Sequence, residues 1–317
     1  MPRGWPGAAL LAALVIAAPF VLYPIFVMKV LCWALFACAF DLLLGFAGLM
    51  SFGHAAYWGM GSYAGAWLAR YAGVTPELAI LAGGAAGAAL GLVFGWLAIR
   101  RQGIYFAMIT LAFAQMTYFV CVEAPFTHGE DGIQQVPRGS LLGLLPLASD
   151  MAMYWLVAAV FLGGFLLLRR CVASPYGQVL KAIRENEPRA ISLGYRVERY
   201  KLLAFVLSAG LAGIAGATNA LVFGIATLTD VGQGTSGDVL LMALLGGMGT
   251  LFGPAAGALL VQAMQTYLAP FGAWVTVTEG AVFVLCVLTF RRGIVGTLLP
   301  LARRAAGFYG ARVAGRP

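Results

Sequence analysis

Residues 202–229 read LLAFVLSAGLAGIAGATNALVFGIATLT, a run without Asp, Glu, Lys or Arg. A helix needs about 20 apolar residues to cross a bilayer, so this run is long enough to span one. Residues 78–99, 102–122, 151–168 and 239–278 are likewise free of charge. In hydrocarbon every backbone amide must be satisfied internally, which leaves helices or a closed barrel. These runs are continuous and lack the alternation of barrel strands. Composition agrees: of 317 residues 62% are hydrophobic and only 10% charged, whereas a soluble domain carries about 25% charged residues. The chain reads as an all-α polytopic membrane protein in one transmembrane domain, 1–317, with lipid as solvent for much of its surface.

Charge sets the expected topology. With the N-terminus in the cytoplasm, spans near 7–28, 30–46, 53–70, 78–99, 103–122, 151–170 and 201–223 alternate in direction. Pro19 and Pro24 should kink the first of these, which is too long for a signal-peptide core. Arg3, Arg100, Arg101, eight basic residues in 169–201 and six arginines of the tail 291–317 then fall inside, as the positive-inside rule requires. The connection 123–150 falls outside, and most acidic residues lie on that face. A tail on the inner side requires 237–269 to start and finish on the same outer face. That segment is too short for two crossings, and it contains the break Gly246-Gly247-Met248-Gly249-Thr250-Leu251-Phe252-Gly253-Pro254. A re-entrant pair of half-helices meets both conditions, followed by a last span near 274–290. The expectation is about eight spanning helices plus this pair. Phe52-Gly53-His54-Ala55-Ala56 is echoed by Phe252-Gly253-Pro254-Ala255-Ala256, each after a glycine-rich break.

The net charge of +8 sits at span ends, which argues for a membrane surface rather than nucleic acid. Cys32, Cys38, Cys121, Cys171 and Cys286 show no ligand or redox spacing and read as small apolar residues. With two histidines and no H-E-x-x-H pattern, no metal site, catalytic residue or cofactor is expected.

Residues 169–201 read RRCVASPYGQVLKAIRENEPRAISLGYRVERYK. Ser174-Pro175 is a helix start, and Gln178–Arg184 has helical spacing. Pro188 cannot sit inside a helix, so it opens a second short one that Gly194 closes. Two short amphipathic helices at an angle either dock another protein or lie on anionic lipid.

This loop, from Ser174-Pro175-Tyr176-Gly177 to Phe205, resembles the cytoplasmic coupling loop of LivM-type permeases of branched-chain amino-acid ABC importers. Three further stretches resemble the same family: Leu42–Gly48 with Ser51–Ala56, Gly103–Met108, and Leu244–Pro254. The resemblance implies a type II-like importer fold in the bacterial inner membrane, a second homologous permease subunit, two ABC ATPase subunits and a periplasmic substrate-binding protein. It implies ATPase coupling through Arg184, Glu187, Ala190 and Gly194, in an E-x-x-A-x-x-x-G pattern from which Pro188 and Arg189 depart. The substrates it implies are branched-chain or related small neutral amino acids, with urea or short amides as the alternative.

No G-x-x-x-x-G-K-[ST] occurs, and the only lysines are Lys29, Lys181 and Lys201; this stretch of chain has no P-loop of its own. An ion-coupled secondary transporter would need ionisable groups along its path, and Asp41 and His54 are the ones that qualify. Asp41 interrupts an apolar span, either as a pathway residue or as a cap on the Gly45–Gly48 break. Ser51, His54, Tyr57, Tyr105 and Thr110 complete the pathway candidates, against a plain role in polar helix packing. Gly59, Gly61 and Gly65 read as close-packing positions. His128, Glu130, Asp131 and Arg138 mark the outer connection as either a contact for a binding protein or a solvated link.

Overall fold

A computed structural model describes residues 5–141, 143, 145–272, 274–289 and 293–297. Arg3, Arg291, Arg292 and the tail beyond residue 297 lie outside the described residues. The first two helices are α1 (Trp5–Val21) and α2 (Pro24–Asp41). One kinked helix over 7–28 was expected, and the structure has two. The residue before a proline is driven out of the helical region; Tyr23 is extended (φ −62°, ψ 124°) and Pro24 takes the first position of α2. Pro19 stays within α1. It lacks the N–H that would reach the Val15 carbonyl, and the Tyr154 hydroxyl donates to that carbonyl instead.

The α2 helix runs on as a π-helical segment, Leu42–Ala47, which Gly48 closes. A short irregular link leads to α3 (His54–Tyr71), then α4 (Pro76–Ala98) and α5 (Ile104–Glu123). Beyond the outer connection, with its two-residue strands β1 (Ser140–Leu141) and β2 (Leu145–Pro146), come α6 (Asp150–Ala173), α7 (Pro175–Glu185), α8 (Glu187–Ser192) and α9 (Val197–Phe223). The chain ends in α10 (Leu228–Val231), α11 (Gln233–Gly246), α12 (Gly253–Tyr267) and α13 (Trp274–Thr289).

Among the described residues five segments are long and apolar enough to cross a membrane: Pro24–Ala47, Pro76–Ala98, Ile104–Glu123, Asp150–Ala173 and Val197–Phe223. Of the other expected spans, α1 and α13 have 17 and 16 described residues, and α3 is more polar. Burial ranks the five. The apolar window of the first is 94% buried and that of Val197–Phe223 72%, against 33–44% for the other three. The first and last therefore form the centre, and α4, α5 and α6 show broad apolar faces outward.

Glycine governs the packing of α3, α4 and α9. A Cβ on Gly61 would lie 2.3 Å from the Gly213 carbonyl, and one on Gly213 2.3 Å from the Gly83 carbonyl. Backbones this close gain dispersion contacts that lipid tails cannot match, which is how helices associate where no hydrophobic driving force separates protein from solvent. Gly65 meets Ala217 and Gly59 meets Val231 in the same way.

The segment after α9 turns back into the bundle. Val231 is buried against Gly59, and the Asp230 carboxylate accepts from Trp58 Nε1 and Ser62 Oγ, both at 3.3 Å. From there α11 and α12 form an antiparallel hairpin, in which Gly246 faces Gly253 and Gly257 faces Met242. At about 1.5 Å per residue each arm is roughly 22 Å long, short of the roughly 30 Å hydrocarbon core. The tip, 247–252, falls in the break read from the sequence. Gly53 and Phe252 are the N-caps of α3 and α12, so both echoed stretches open a helix.

Candidate functional site

At one end of the bundle the hairpin tip, the π-helical segment, α7 and Gly293 come together. Local sequence shapes the α7–α8 loop. Ser174 caps α7, its side-chain oxygen accepting from the Gly177 amide at 3.5 Å while its hydroxyl donates to the Cys171 carbonyl of α6 at 2.6 Å, and Pro175 occupies the first helical position. Asn186 breaks the helix in an extended conformation (φ −157°, ψ 95°), and its side chain accepts from the Arg189 amide at 3.0 Å. Pro188 is the second residue of α8, where no intrahelical N–H bond is lost. Gly194 lies at φ +86°; its amide reaches the Ile191 carbonyl at 2.9 Å and the Tyr195 amide the Ala190 carbonyl at 3.2 Å. The expected hinge and terminator are both present.

Small contacts hold α7 and α8 on the start of α9. Ile183, Ala190 and Val197 form a buried cluster flanked by Val179 and Tyr200. The Tyr176 ring stacks on Tyr200 at 5.7 Å, and its hydroxyl donates to the Tyr200 carbonyl at 2.8 Å. Burial pushes the Tyr176 phenol well above its usual range, so it remains a neutral donor. Lys201 Nζ donates to Glu187 Oε2 at 2.7 Å.

The four coupling candidates thus have different surroundings. Arg184 donates to the Gly45 carbonyl, Glu187 pairs with Lys201, Ala190 is buried, and Gly194 supplies a backbone turn. The apolar side chains left outward are Ile191 and Leu193, 57% and 70% exposed. A groove of about 410 Å³ runs beside Ile191 toward Ile99 and Arg100. Sequence reading missed both residues because a six-residue helix is too short to show a periodic face.

Of the pathway candidates, Asp41, Ser51, His54, Tyr57 and Thr110 are buried, whereas Tyr105 is 68% exposed on the outer surface of α5. Both Asp41 carboxylate oxygens accept from the Gly249 amide, at 2.9 and 3.1 Å. The cap therefore falls on the hairpin tip, 208 positions away, and not on the nearby Gly45–Gly48 break. The cavity beside Asp41 is about 10 Å³, room for one water at most. Thr110 Oγ1 accepts from the Phe52 amide at 3.2 Å, and Ser51 Oγ from the Gly53 amide at 3.3 Å; together they secure the link into α3.

His54 Nε2 meets Ser208 Oγ at 2.9 Å, and the Ser208 hydroxyl is directed at the Ala39 carbonyl. With the serine proton used there, Nε2 carries the imidazole proton, and Nδ1 is a buried lone pair without a partner. Tyr57 edges onto the His54 ring at 5.3 Å. Ser208, Ser236 and Asp230 escaped sequence reading, since each meets its partner only across the bundle. Lys29 and Asp238 escaped it too: they influence one another electrostatically across α2 and α11, and Gln265 donates to Asp238 at 3.3 Å. Among the described residues no cluster of His, Cys, Asp and Glu could hold a metal ion.

The opposite end carries the 123–150 connection. Ile133 and Ala226 exchange backbone hydrogen bonds at 2.9 Å, the Tyr71 hydroxyl meets His128 Nε2 at 2.7 Å, and Arg138 pairs with Asp150 at 2.6 Å. The connection is packed onto the bundle, with Glu130 and Asp131 exposed.

Apolar spanning helices around a buried centre, a broken-helix hairpin and a hinged loop at its tip define an all-α polytopic membrane permease. The chain belongs to the family described as "Branched-chain amino acid transport system / permease component", which matches residues 23–290. It is similar to the high-affinity branched-chain amino acid transport system permease proteins LivM of Salmonella typhimurium and Escherichia coli, each 27% identical over 286 residues, which is 83% of this chain and 66% of theirs. The chain thus spans just under two thirds of the length of these relatives. It is also similar to the autoinducer 2 import system permease protein LsrC of Klebsiella pneumoniae, 31% identical over 147 residues, covering 44% of this chain and 40% of that one. No solved structure matches.

Proposed function

We propose that this chain is the membrane permease subunit of an ABC importer that carries branched-chain or related small neutral amino acids into the cytoplasm. ATP is hydrolysed by two partner ATPase subunits that dock on α7 and α8. The observation that carries this reading is the α7–Asn186–α8 hinge, which leaves Ile191 and Leu193 exposed, the former beside an open groove, while Arg184 reaches the hairpin tip region. A solvated loop would gain nothing from two exposed apolar residues at the end of an ordered helix; a protein cleft would bury them. In this reading α11 and α12 are re-entrant in a type II-like permease of the bacterial inner membrane, with both termini in the cytoplasm. A second homologous permease subunit covers part of the outward apolar surface, with lipid on the rest. A periplasmic binding protein meets the 123–150 face near Glu130 and Asp131. Asp41, Ser51, His54, Tyr57, Tyr105 and Thr110 remain the residues to test for the pathway.

The experiment is uptake of labelled leucine into proteoliposomes that hold the chain with its partner subunits and external binding protein. ATP-dependent uptake is expected, with Ile191→Glu and Leu193→Asp abolishing ATPase association while the chain still accumulates. Uptake driven by an ion gradient without ATP would overturn it. A second reading, in which the cargo is another small neutral solute such as urea or a short amide, draws on the likeness to a permease whose name gives a different cargo. Competition of leucine uptake by a solute panel separates the two.

A further inference from the structure

Three contacts meet within one small volume at the hairpin tip. Asp41, the last residue of α2, takes the Gly249 amide on both carboxylate oxygens, at 2.9 and 3.1 Å. One turn further, the Gly45 carbonyl accepts from Arg184 Nη1 of α7. Lys181, a turn earlier on α7, stands 5.6 Å from the centre of the Phe46 ring. Gly45 therefore sits between the two polar contacts. A Cβ there would lie 2.2 Å from Asp41 Oδ1 and 2.3 Å from the Gly249 nitrogen, so only glycine leaves room for the carboxylate to reach the tip.

The backbone that carries these contacts is a six-residue π-helical segment. Such segments are rare and concentrate at functional sites. Arg184 also lies close enough to act electrostatically on the Asp41 carboxyl group, whose charged form is costly to hold in a buried site.

We infer that Asp41 and Arg184 form a clasp that ties α7 to the α11–α12 hairpin through the π-helical segment, so that displacement of α7 moves the hairpin. Asp41 is then a positioning residue that acts through the Gly249 amide, not a substrate ligand. The 10 Å³ cavity beside it agrees, since no amino acid fits there. Two features make the linkage mechanical. The α7 helix is bounded by the Ser174 cap and the Asn186 hinge, so it can rotate without unfolding its neighbours. The hairpin arms are locked by the Gly246–Gly253 and Gly257–Met242 approaches, so a pull on the tip moves both arms together. Gly293, whose Cβ would lie 2.3 Å from Gly247 Cα, extends the contact to the segment after α13.

This inference rests on α7 and α8 being the ATPase-coupling element, and its test keeps the two claims apart. The full chain, assembled with its ATP-hydrolysing partners, is compared with Asp41→Ala, Asp41→Asn, Arg184→Ala and the Asp41→Ala/Arg184→Ala double variant. Two quantities are read: solute taken up per ATP hydrolysed, and hydrogen exchange of residues 247–252. Each alanine variant should lower the uptake-to-hydrolysis ratio about tenfold and speed tip exchange to a similar degree. The double variant should be no worse than the singles, because both break one linkage. Asp41→Asn, which keeps one acceptor oxygen, should stay within about threefold of the wild type. Unchanged tip exchange, an unchanged ratio, or a double variant equal to the product of the singles would overturn the clasp. If Asp41→Ala does not accumulate, Arg184→Gln carries the same two readouts, since Arg184 lies on an exposed face of α7. Failure of the wild-type chain to assemble with an ATPase refutes the importer reading; a working importer indifferent to these variants refutes only the clasp.

Discussion

Glu187 Oε2 accepts a hydrogen bond from Lys201 Nζ at 2.7 Å, joining the first residue of α8 to the second turn of α9. The pair is asymmetric: the lysine side chain is 5% exposed and the glutamate 22%. Removing the anion strands a nearly buried ammonium, whereas removing the cation leaves a carboxylate that can turn to water. Glu187→Gln should therefore cost about 1–3 kcal/mol, and Lys201→Met, which keeps the packed stem, distinctly less. Thermal unfolding of the purified chain measures both, and equal losses would contradict the asymmetry.

Gly194 offers a test free of steric crowding. Its φ of +86° lies in the left-handed region, and nothing stands within 4 Å of an added Cβ. Gly194→Ala should lose about 1–2 kcal/mol from backbone strain alone, and Gly194→Asn less, because asparagine tolerates this conformation. Limited proteolysis between α8 and α9 reads the difference. Cleavage of the alanine variant at the wild-type rate would count against a strained terminator.

Helix packing makes a sharper contrast. Gly213→Leu drives a side chain into the Gly83 backbone, so α3, α4 and α9 cannot close and the chain should fail to accumulate in membranes. Gly163 of α6 has nothing within 4 Å, and Gly163→Leu should accumulate normally. Immunoblots of membrane fractions settle the pair of outcomes.

Ser208 spends its hydroxyl proton on Ala39 and receives from His54, linking α2, α3 and α9. Ser208→Ala leaves the His54 N–H buried without an acceptor, at a cost of about 1–3 kcal/mol. Adding His54→Phe removes the stranded donor while keeping a ring among Phe36, Phe40 and Tyr57. The double variant should therefore be more stable than Ser208→Ala alone, and a less stable double variant would refute the assignment of the proton to Nε2.

Several features followed from local rules that act within a few residues. Ser174-Pro175 starts a helix, Pro188 opens one and Gly194 closes one because caps, missing amides and left-handed turns need only their immediate neighbours. Hydrophobic runs without charge identified most of the spans for the same reason, since solvent preference is a property of the segment itself. The first span was misjudged where two local effects compete: Pro19 is kept in α1 by a hydroxyl from Tyr154, while Pro24, with an extended Tyr23 before it, starts a new helix. The pathway candidates were chosen by residue type and order along the chain. That choice could not distinguish Thr110, which is buried and bonded to the link before α3, from Tyr105, five positions away and turned outward.

By itself the sequence determined that this chain lives in a membrane, where the helices of its α7–α8 loop start and stop, and that this hinged basic loop lies between its sixth expected span and the next. These depend on transfer free energy and on backbone chemistry read over short stretches. Only the tertiary structure decided that Asp41 serves the Gly249 amide and Arg184 the Gly45 carbonyl, 208 and 139 positions away. A polar group buried in an apolar bundle must find some partner, and which one it finds depends on how glycine-lined helices come together.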